Sequence, residues 1–233
     1  MPQLHAAALL FDMDGTLVDS TVLVEATWAG FCERHRLDLT EVLAFAHGRP
    51  TRETVRHFLP DPDQAAAETR RLVAHEESET TGITEVPGAR ALLTALPPHA
   101  WAVVTSAGRR LAEVRMAAAG LPLPRLLVSA DDVTHGKPDP EGYLRAAAAL
   151  GCAPEDAVVV EDSGAGVRAG LAGCGHTVVI GGLDAYDDVA PRWADFRGFR
   201  VLPREPGRAG VTLDVPEPVA AGAGVPAGAV VQS

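Results

Sequence analysis

Asp12 and Asp14 stand two residues apart where an apolar run gives out, in Phe11-Asp12-Met13-Asp14-Gly15-Thr16. Two carboxylates at a strand end can share a divalent cation and can divide the roles of nucleophile and acid/base. An acidic strand end can also be a solvated turn, since Gly15 and Thr16 favour an immediate change of direction. Thr105 and Ser106 close a second apolar run that begins at Trp101. The Ser106 hydroxyl and nearby backbone N–H groups, such as that of Ala107, suit a phosphate oxygen at a helix N-terminus. Thr-Ser before a helix is as readily a cap. Glu161 and Asp162 end a third run, Val158-Val159-Val160. Adjacent buried acids are costly unless a cation or a helix N-terminus meets them. Asp162 would offer a hard cation such as Mg²⁺ a further carboxylate.

Lys137, in His135-Gly136-Lys137-Pro138-Asp139-Pro140, is the fourth candidate. The chain carries 20 basic residues besides histidine, and Lys137 is the single lysine among them. Retention of an ammonium where every other cation is a guanidinium points to a compact charge aimed at phosphate. The surroundings are acidic, with a net charge of -11. That excludes a broadly basic nucleic-acid surface, so a metal or a few cations must supply positive charge locally. Cys32, Cys152 and Cys174 show neither a pairing pattern nor metal spacing, which predicts a reducing, cytoplasmic compartment. The apolar residues 6–11 run straight into Asp12, unlike a secretory signal. No run approaches the ~18 apolar residues of a membrane span, so no membrane partner is expected.

The elements that would position these groups can be read from periodicity. Strands are predicted at Ala7–Asp12, Ala100–Thr105, Leu126–Ala130, Ala157–Asp162 and His176–Gly181. Helices are predicted near Gly88–Leu96, Arg109–Ala119, Glu141–Leu150 and Gly164–Ala172. Such alternation implies an α/β fold with a doubly wound, parallel, Rossmann-like sheet. Right-handed crossovers put the strand C-termini on one edge, where ligands bind. Residues 21–81 break the alternation, with helices read at Val22–His35, Thr40–Ala46, Thr51–Phe58 and Pro62–Thr80. This reads as an inserted α-helical cap over that edge, residues 19–83, between core segments 1–18 and 84–204. Residues 205–233, rich in Pro, Gly, Ala and Val, read as a flexible tail able to lay a short segment on the sheet edge.

Asp12-Met13-Asp14-Gly15-Thr16, Thr105/Ser106, Lys137 and Glu161-Asp162 occur in that order, each after the expected strand. Together they resemble the four motifs of the haloacid dehalogenase-like phosphohydrolases, over roughly residues 5–202. Gly136-Lys137-Pro138-Asp139-Pro140-Glu141-Gly142-Tyr143 and Glu161-Asp162-Ser163-Gly164-Ala165-Gly166 are similar to the sugar-phosphatase and β-phosphoglucomutase branch. The resemblance implies that Asp12 attacks phosphorus and becomes an aspartyl-phosphate. It implies that Asp14 protonates the leaving alkoxide and then deprotonates water. Mg²⁺ would be held by Asp12, the Asp14 carbonyl and Asp162, with Glu161 acting through water. Thr105 or Ser106, with Lys137, would hold the phosphoryl oxygens. Phosphoryl transfer depends chiefly on charge neutralisation and alignment.

Cap residues should choose the substrate. Arg49 and Arg52, in a glycine-proline break, could reach a sugar hydroxyl or a second anion, and are equally readable as solvated arginines. Leu23, Trp28 and Phe31 read as cap core, and His35, His57 and His75 as surface residues. The expected partner is a small phosphorylated metabolite, acted on by a monomer or weak homodimer. A phosphoglucomutase-type isomerase is disfavoured: the resemblance predicts a histidine twelve residues after Asp12, where Val24 stands, and Gly15-Thr16 suits hydrolysis. Asp14 disfavours a dehalogenase, and the lack of a cap lysine excludes a phosphonatase. A phosphoglycolate phosphatase stays open as a substrate alternative. A non-catalytic phospho-ligand module stays open as a different class, though it would be expected to have lost one of Asp12, Asp14, Lys137 and Asp162.

Overall fold

The computed structural model describes residues 2–203 and 210–221. Six parallel strands form its centre. In chain order these are β2 (Ala8–Phe11), β5 (Trp101–Val104), β6 (Leu127–Val128), β7 (Ala157–Glu161), β8 (His176–Ile180) and β9 (Arg192–Trp193). Their spatial order is β6-β5-β2-β7-β8-β9. Strand β2 lies between β5 and β7, with Phe11 opposite both Val103 and Val160. That register brings the ends of the three strands to one rim.

The strands are apolar throughout because both faces are covered. Leu9, Phe11, Val103, Val158 and Val160 face one core, packed with residues of α5 (Ala89–Ala95) and α6 (Arg109–Ala118). Leu10, Ala102, Val104 and Val159 face the other, with Tyr143, Ala146 and Ala147 of α7 (Glu141–Leu150) and Ala169 of α8 (Gly164–Gly173). Period-two alternation thus splits each strand between two cores, as the doubly wound reading requires.

Helices α1 (Thr21–His35), α2 (Leu39–Ala46), α3 (Thr51–Phe58) and α4 (Pro62–Ser78) follow the first rim turn. Asp38 and Asp61 cap α2 and α4 by accepting from the backbone N–H of Glu41 and Gln64. A separate core of Trp28, Phe31, Val42, Val55, Leu59 and Leu72 holds the four helices together. The two connections to the sheet lie side by side as a short antiparallel pair, β3 (Val18–Asp19) and β4 (Thr84–Glu85). His57 and His75 are exposed, His57 stacked on Phe45 at 3.9 Å between centroids. His35 departs from the surface reading. It is half-buried, with Nε2 3.6 Å from Glu68 Oε2, because α1 packs against α4 there.

Among the described residues, six short strands lie outside the five predicted: β3, β4, the sheet-edge strand β9, and three that form a second sheet. β1 (Gln3–Ala6) precedes β2 as a separate strand, and β10 (Arg200–Val201) and β11 (Val211–Asp214) join it in an antiparallel sheet ordered β1-β11-β10. The tail reading is therefore corrected for residues 210–221. Val211, Leu213 and Val215 are buried against the main core, and the burial of alternate residues fixes β11 as a strand. Further on, the Val219 N–H donates to the Arg192 carbonyl on edge strand β9 at 2.7 Å. Residues 204–209 and 222–233, which the tail prediction also covered, lie outside the described residues. No helix among the described residues is long and apolar enough to cross a membrane.

Candidate active site

The rim gathers side chains far apart in sequence. Asp12 follows β2, with its N–H donating to the Val160 carbonyl at 2.9 Å. Glu161 ends β7 and Asp162 follows it. Asp12, Glu161 and Asp162 each offer a carboxylate oxygen within 4.8 Å of the others. Lys137 reaches in from the loop before α7, and its ammonium donates to Asp12 Oδ1, to Glu161 Oε1 at 2.6 Å and to the Val104 carbonyl at 3.0 Å. Three N–H groups meet three acceptors, which explains a lysine here.

Two glycines make this crowding possible. Gly15 has φ +84, and a Cβ there would lie 1.9 Å from Asp162 Oδ2. A Cβ at Gly166 of α8 would lie 1.6 Å from Glu161 Oε1. The glutamate can therefore sit under the first turn of that helix. Its Oε2 accepts from the N–H groups of Asp162 and Ser163 and from Ser163 Oγ, and Oε1 accepts from Tyr143 Oη at 2.7 Å besides Lys137.

The electrostatics follow from burial. Burial pushes the Asp12 carboxyl well above the usual aspartate range, Lys137 opposes this, and Glu161 and Asp162 add to it. Burial also raises Asp162, against the pull of His47. Glu161 goes the other way: burial would raise it, but Lys137, Tyr143 and the Ser163 N–H hold it below the usual glutamate range. Lys137 is raised above the ordinary lysine value, because Asp12 and Glu161 outweigh its desolvation. Three carboxylates against one ammonium leave two uncompensated negative charges when all are ionised. An all-oxygen, doubly negative cluster fits a hard divalent cation.

Asp14 sits across the turn. Ser20 Oγ donates to its Oδ1 at 2.7 Å, and Arg115 Nη1 of α6 lies 2.8 Å from its Oδ2. Thr105 is buried, and its Oγ1 accepts from the Ala107 N–H at 3.0 Å. Ser106 Oγ donates to the Gly48 carbonyl in the loop between α2 and α3 at 2.9 Å. All of these border a cavity of about 240 Å³ between rim and helices. The sheet core lines it with Asp12, Asp14, Thr105, Ser106, Ala107 and Asp162, and the helical block with Val24, Trp28, Leu43, Arg49 and Glu76.

Of the residues read from sequence, Asp12, Asp14, Thr105, Ser106, Ala107, Lys137, Glu161 and Asp162 converge at the rim. Arg49 lines the cavity with its guanidinium 4.6 Å over the Phe45 ring. Arg52 is exposed and lies outside the lining. Phe31 joins the helical core as expected, whereas Leu23 departs from the cap-core reading: at the start of α1, next to the rim, it packs into the main core. Trp28 does both jobs, being helical core and cavity wall. Sequence reasoning gave no role to Arg115, Glu76, His47 or Tyr143. Arg115 had a signal: it sits on the buried stripe Leu111, Ala112, Arg115, Met116 of α6, where an arginine needs a partner. His47 Nε2 lies 3.3 Å from Asp162 Oδ2, a contact with no local sequence mark.

The model of the haloacid dehalogenase-like hydrolase family matches residues 6–173. Hexitol phosphatase A of Escherichia coli (strain K12) is 46% identical over 181 residues, covering 76% of this chain and 84% of that protein. 2-Deoxyglucose-6-phosphate phosphatase 1 of Saccharomyces cerevisiae is 32% identical over 212 residues, 80% of this chain and 84% of that one. Among solved structures, a hydrolase from Pseudomonas syringae superposes with a TM-score of 0.70 at 24% identity, covering 79% of this chain and 91% of its own.

Proposed function

The chain belongs to the haloacid dehalogenase-like hydrolases and is a phosphoric monoester hydrolase; from that premise we propose that it releases phosphate from small phosphorylated sugars or polyols, with Mg²⁺ as cofactor. The hexitol and deoxyglucose phosphate phosphatases among its relatives support this substrate class. The observation that carries it is the convergence at one rim of Asp12 and Asp14, which line the cavity, and Lys137, whose ammonium meets Asp12 from behind it. Free thiols at all three cysteines support a cytoplasmic setting.

Asp12 is the nucleophile. Its carboxylate attacks phosphorus in line with the ester oxygen and forms an aspartyl-phosphate. Lys137 balances the charge carried by Asp12 and the transferring oxygens, and Glu161 holds the ammonium in place through Oε1. Glu161's five protein donors make it a positioning residue for Lys137. Asp12 and Asp162, with the Asp14 carbonyl, would hold the cation. Bound Mg²⁺ supplies Lewis-acid neutralisation that lets an anionic carboxylate approach an anionic phosphate. Thr105, Ser106 and the Ala107 N–H would take the phosphoryl oxygens, Ser106 Oγ exchanging the Gly48 carbonyl and the Ala107 N–H exchanging Thr105 Oγ1 for them. Asp14, oriented by Ser20 and Arg115, gives a proton to the leaving alkoxide and takes one from the water that hydrolyses the intermediate. Arg49 reads the substrate's distal end, whereas Arg52 stays in solvent. A panel of phosphorylated metabolites ranked by kcat/KM tests the reading: polyol or sugar phosphates should lead, with turnover lost in chelator. A panel led by pyrophosphate or phosphoprotein would contradict it.

A further inference from the structure

We propose that Glu76 is a specificity-determining residue that accepts a hydrogen bond from a hydroxyl on the substrate's carbon chain; this rests on the phosphatase reading above and specifies what the leaving group must carry. Glu76 belongs to α4 of the helical block, and Arg115 to α6 beside the sheet. The guanidinium joins them across the cavity wall, with Nη1 2.8 Å from Asp14 Oδ2 and Nη2 2.5 Å from Glu76 Oε1. Glu76 therefore sits one guanidinium width from the proton-transfer carboxylate, on the leaving-group side of the reaction. Both residues are deeply buried, at 5% and 4% exposure. Both line the cavity.

The pair is incompletely satisfied. Glu76 Oε2 and Arg115 Nε are buried and have no hydrogen-bond partner among the described residues, so a ligand in the cavity that Glu76 lines meets Oε2 as the carboxylate turns about its broad terminal torsion. A carboxylate buried this deeply seldom leaves an oxygen unmet. Ionised, it can only accept, so the ligand group that completes it is a donor. A neutral hydroxyl fits, and a second phosphate or a carboxylate is repelled. Val24, Trp28, Leu43 and Ala46 give the cavity apolar walls on its helical side, which suit the C–H faces of a polyol. Arg115 is the positioning residue here: it fixes Asp14 with one nitrogen and Glu76 with another.

The test compares polyol phosphates that each lack one hydroxyl, measured by kcat/KM. In the wild-type enzyme one deletion should cost at least ~10-fold, because it strands a buried acceptor. In Glu76→Leu that same deletion should cost less than ~3-fold, and in Glu76→Gln an intermediate amount, as a charge-assisted bond becomes a neutral one. A purely structural role would lower every substrate alike and leave the ratios intact, which overturns the proposal. If Glu76→Leu does not fold, Glu76→Gln and the wild-type series still decide. A wild-type enzyme indifferent to every single deletion overturns it outright. A wild-type enzyme inactive on all polyol phosphates instead overturns the substrate reading on which the proposal stands.

Discussion

Replacing Lys137 by arginine keeps the positive charge and should nevertheless disable the enzyme. Lys137 is 6% exposed, and its ammonium meets Asp12 Oδ1, Glu161 Oε1 and the Val104 carbonyl at once. A planar fork is longer and wider, and cannot present three donors to a tight, non-planar acceptor set. Overpacking alone costs about 1–3 kcal/mol in a filled interior. The displaced cation also leaves the transferring oxygens short of a preorganised donor, a loss of roughly 10²–10³ in kcat. Lys137→Met makes the complementary point. It strands Asp12 and Glu161, two buried carboxylates, and breaking a buried pair costs ~3–5 kcal/mol. At ~2–4 °C per kcal/mol for a chain of this size, the melting temperature should fall by ~6–20 °C. Phosphate release from an aryl phosphate, beside a thermal melt, reads both. If Lys137→Arg retained kcat/KM within about threefold of wild type, the account of this residue as a compact three-donor charge would be refuted.

Three further outcomes follow from the same geometry. Mg²⁺ at ~100 times its Kd should stabilise the protein by ~2.7 kcal/mol, or ~5–11 °C, and Asp162→Asn should remove most of that shift; an undiminished shift would place the cation elsewhere. Asp14→Asn should lower kcat by roughly 10²–10⁴ while keeping the Mg²⁺-induced rise in melting temperature, and a near-normal rate would remove Asp14 as acid/base. Asp162 holds the His47 imidazole above the ordinary histidine range, so the pair's stabilisation is present below the unfolded value of 6.5 and fades as pH rises through the higher folded one. With its side chain 59% exposed, His47→Ala should therefore cost no more than ~1 kcal/mol near pH 6 in chelator, and nothing by pH 9; an equal loss at both pH values would contradict the pairing.

The rim was readable in the sequence because its acids and hydroxyls end apolar strands, which parallel pairing delivers to one edge, and because Lys137, in a loop, is the single lysine of the chain. The four helices of residues 21–78 were readable from caps such as Asp61 before Pro62 and from periodicity. The residues that the sequence did not reveal act across elements. Arg115 and Glu76 lie 39 positions apart and become partners only because α4 packs on α6. Strand β11 was hidden for a related reason: Val211–Asp214 is short, and what makes it a strand is the first residues of the chain, Gln3–Ala6, more than two hundred positions away. His35 looked like a surface histidine because its partner, Glu68, lies one helix away in space.

The central claim is that Asp12 carries the phosphoryl group. Asp14→Asn enzyme, mixed with Mg²⁺ and excess aryl phosphate, whose phenolate leaves without a proton from Asp14, should accumulate the acyl phosphate, because water attack on it is slowed. Acid quench, borohydride reduction and peptide mass spectrometry should then find homoserine in place of aspartate at position 12, and only with substrate and metal both present. Homoserine at Asp162 or another carboxylate, or an unmodified Asp12 under conditions where one equivalent of product phenol has been released, would contradict the account.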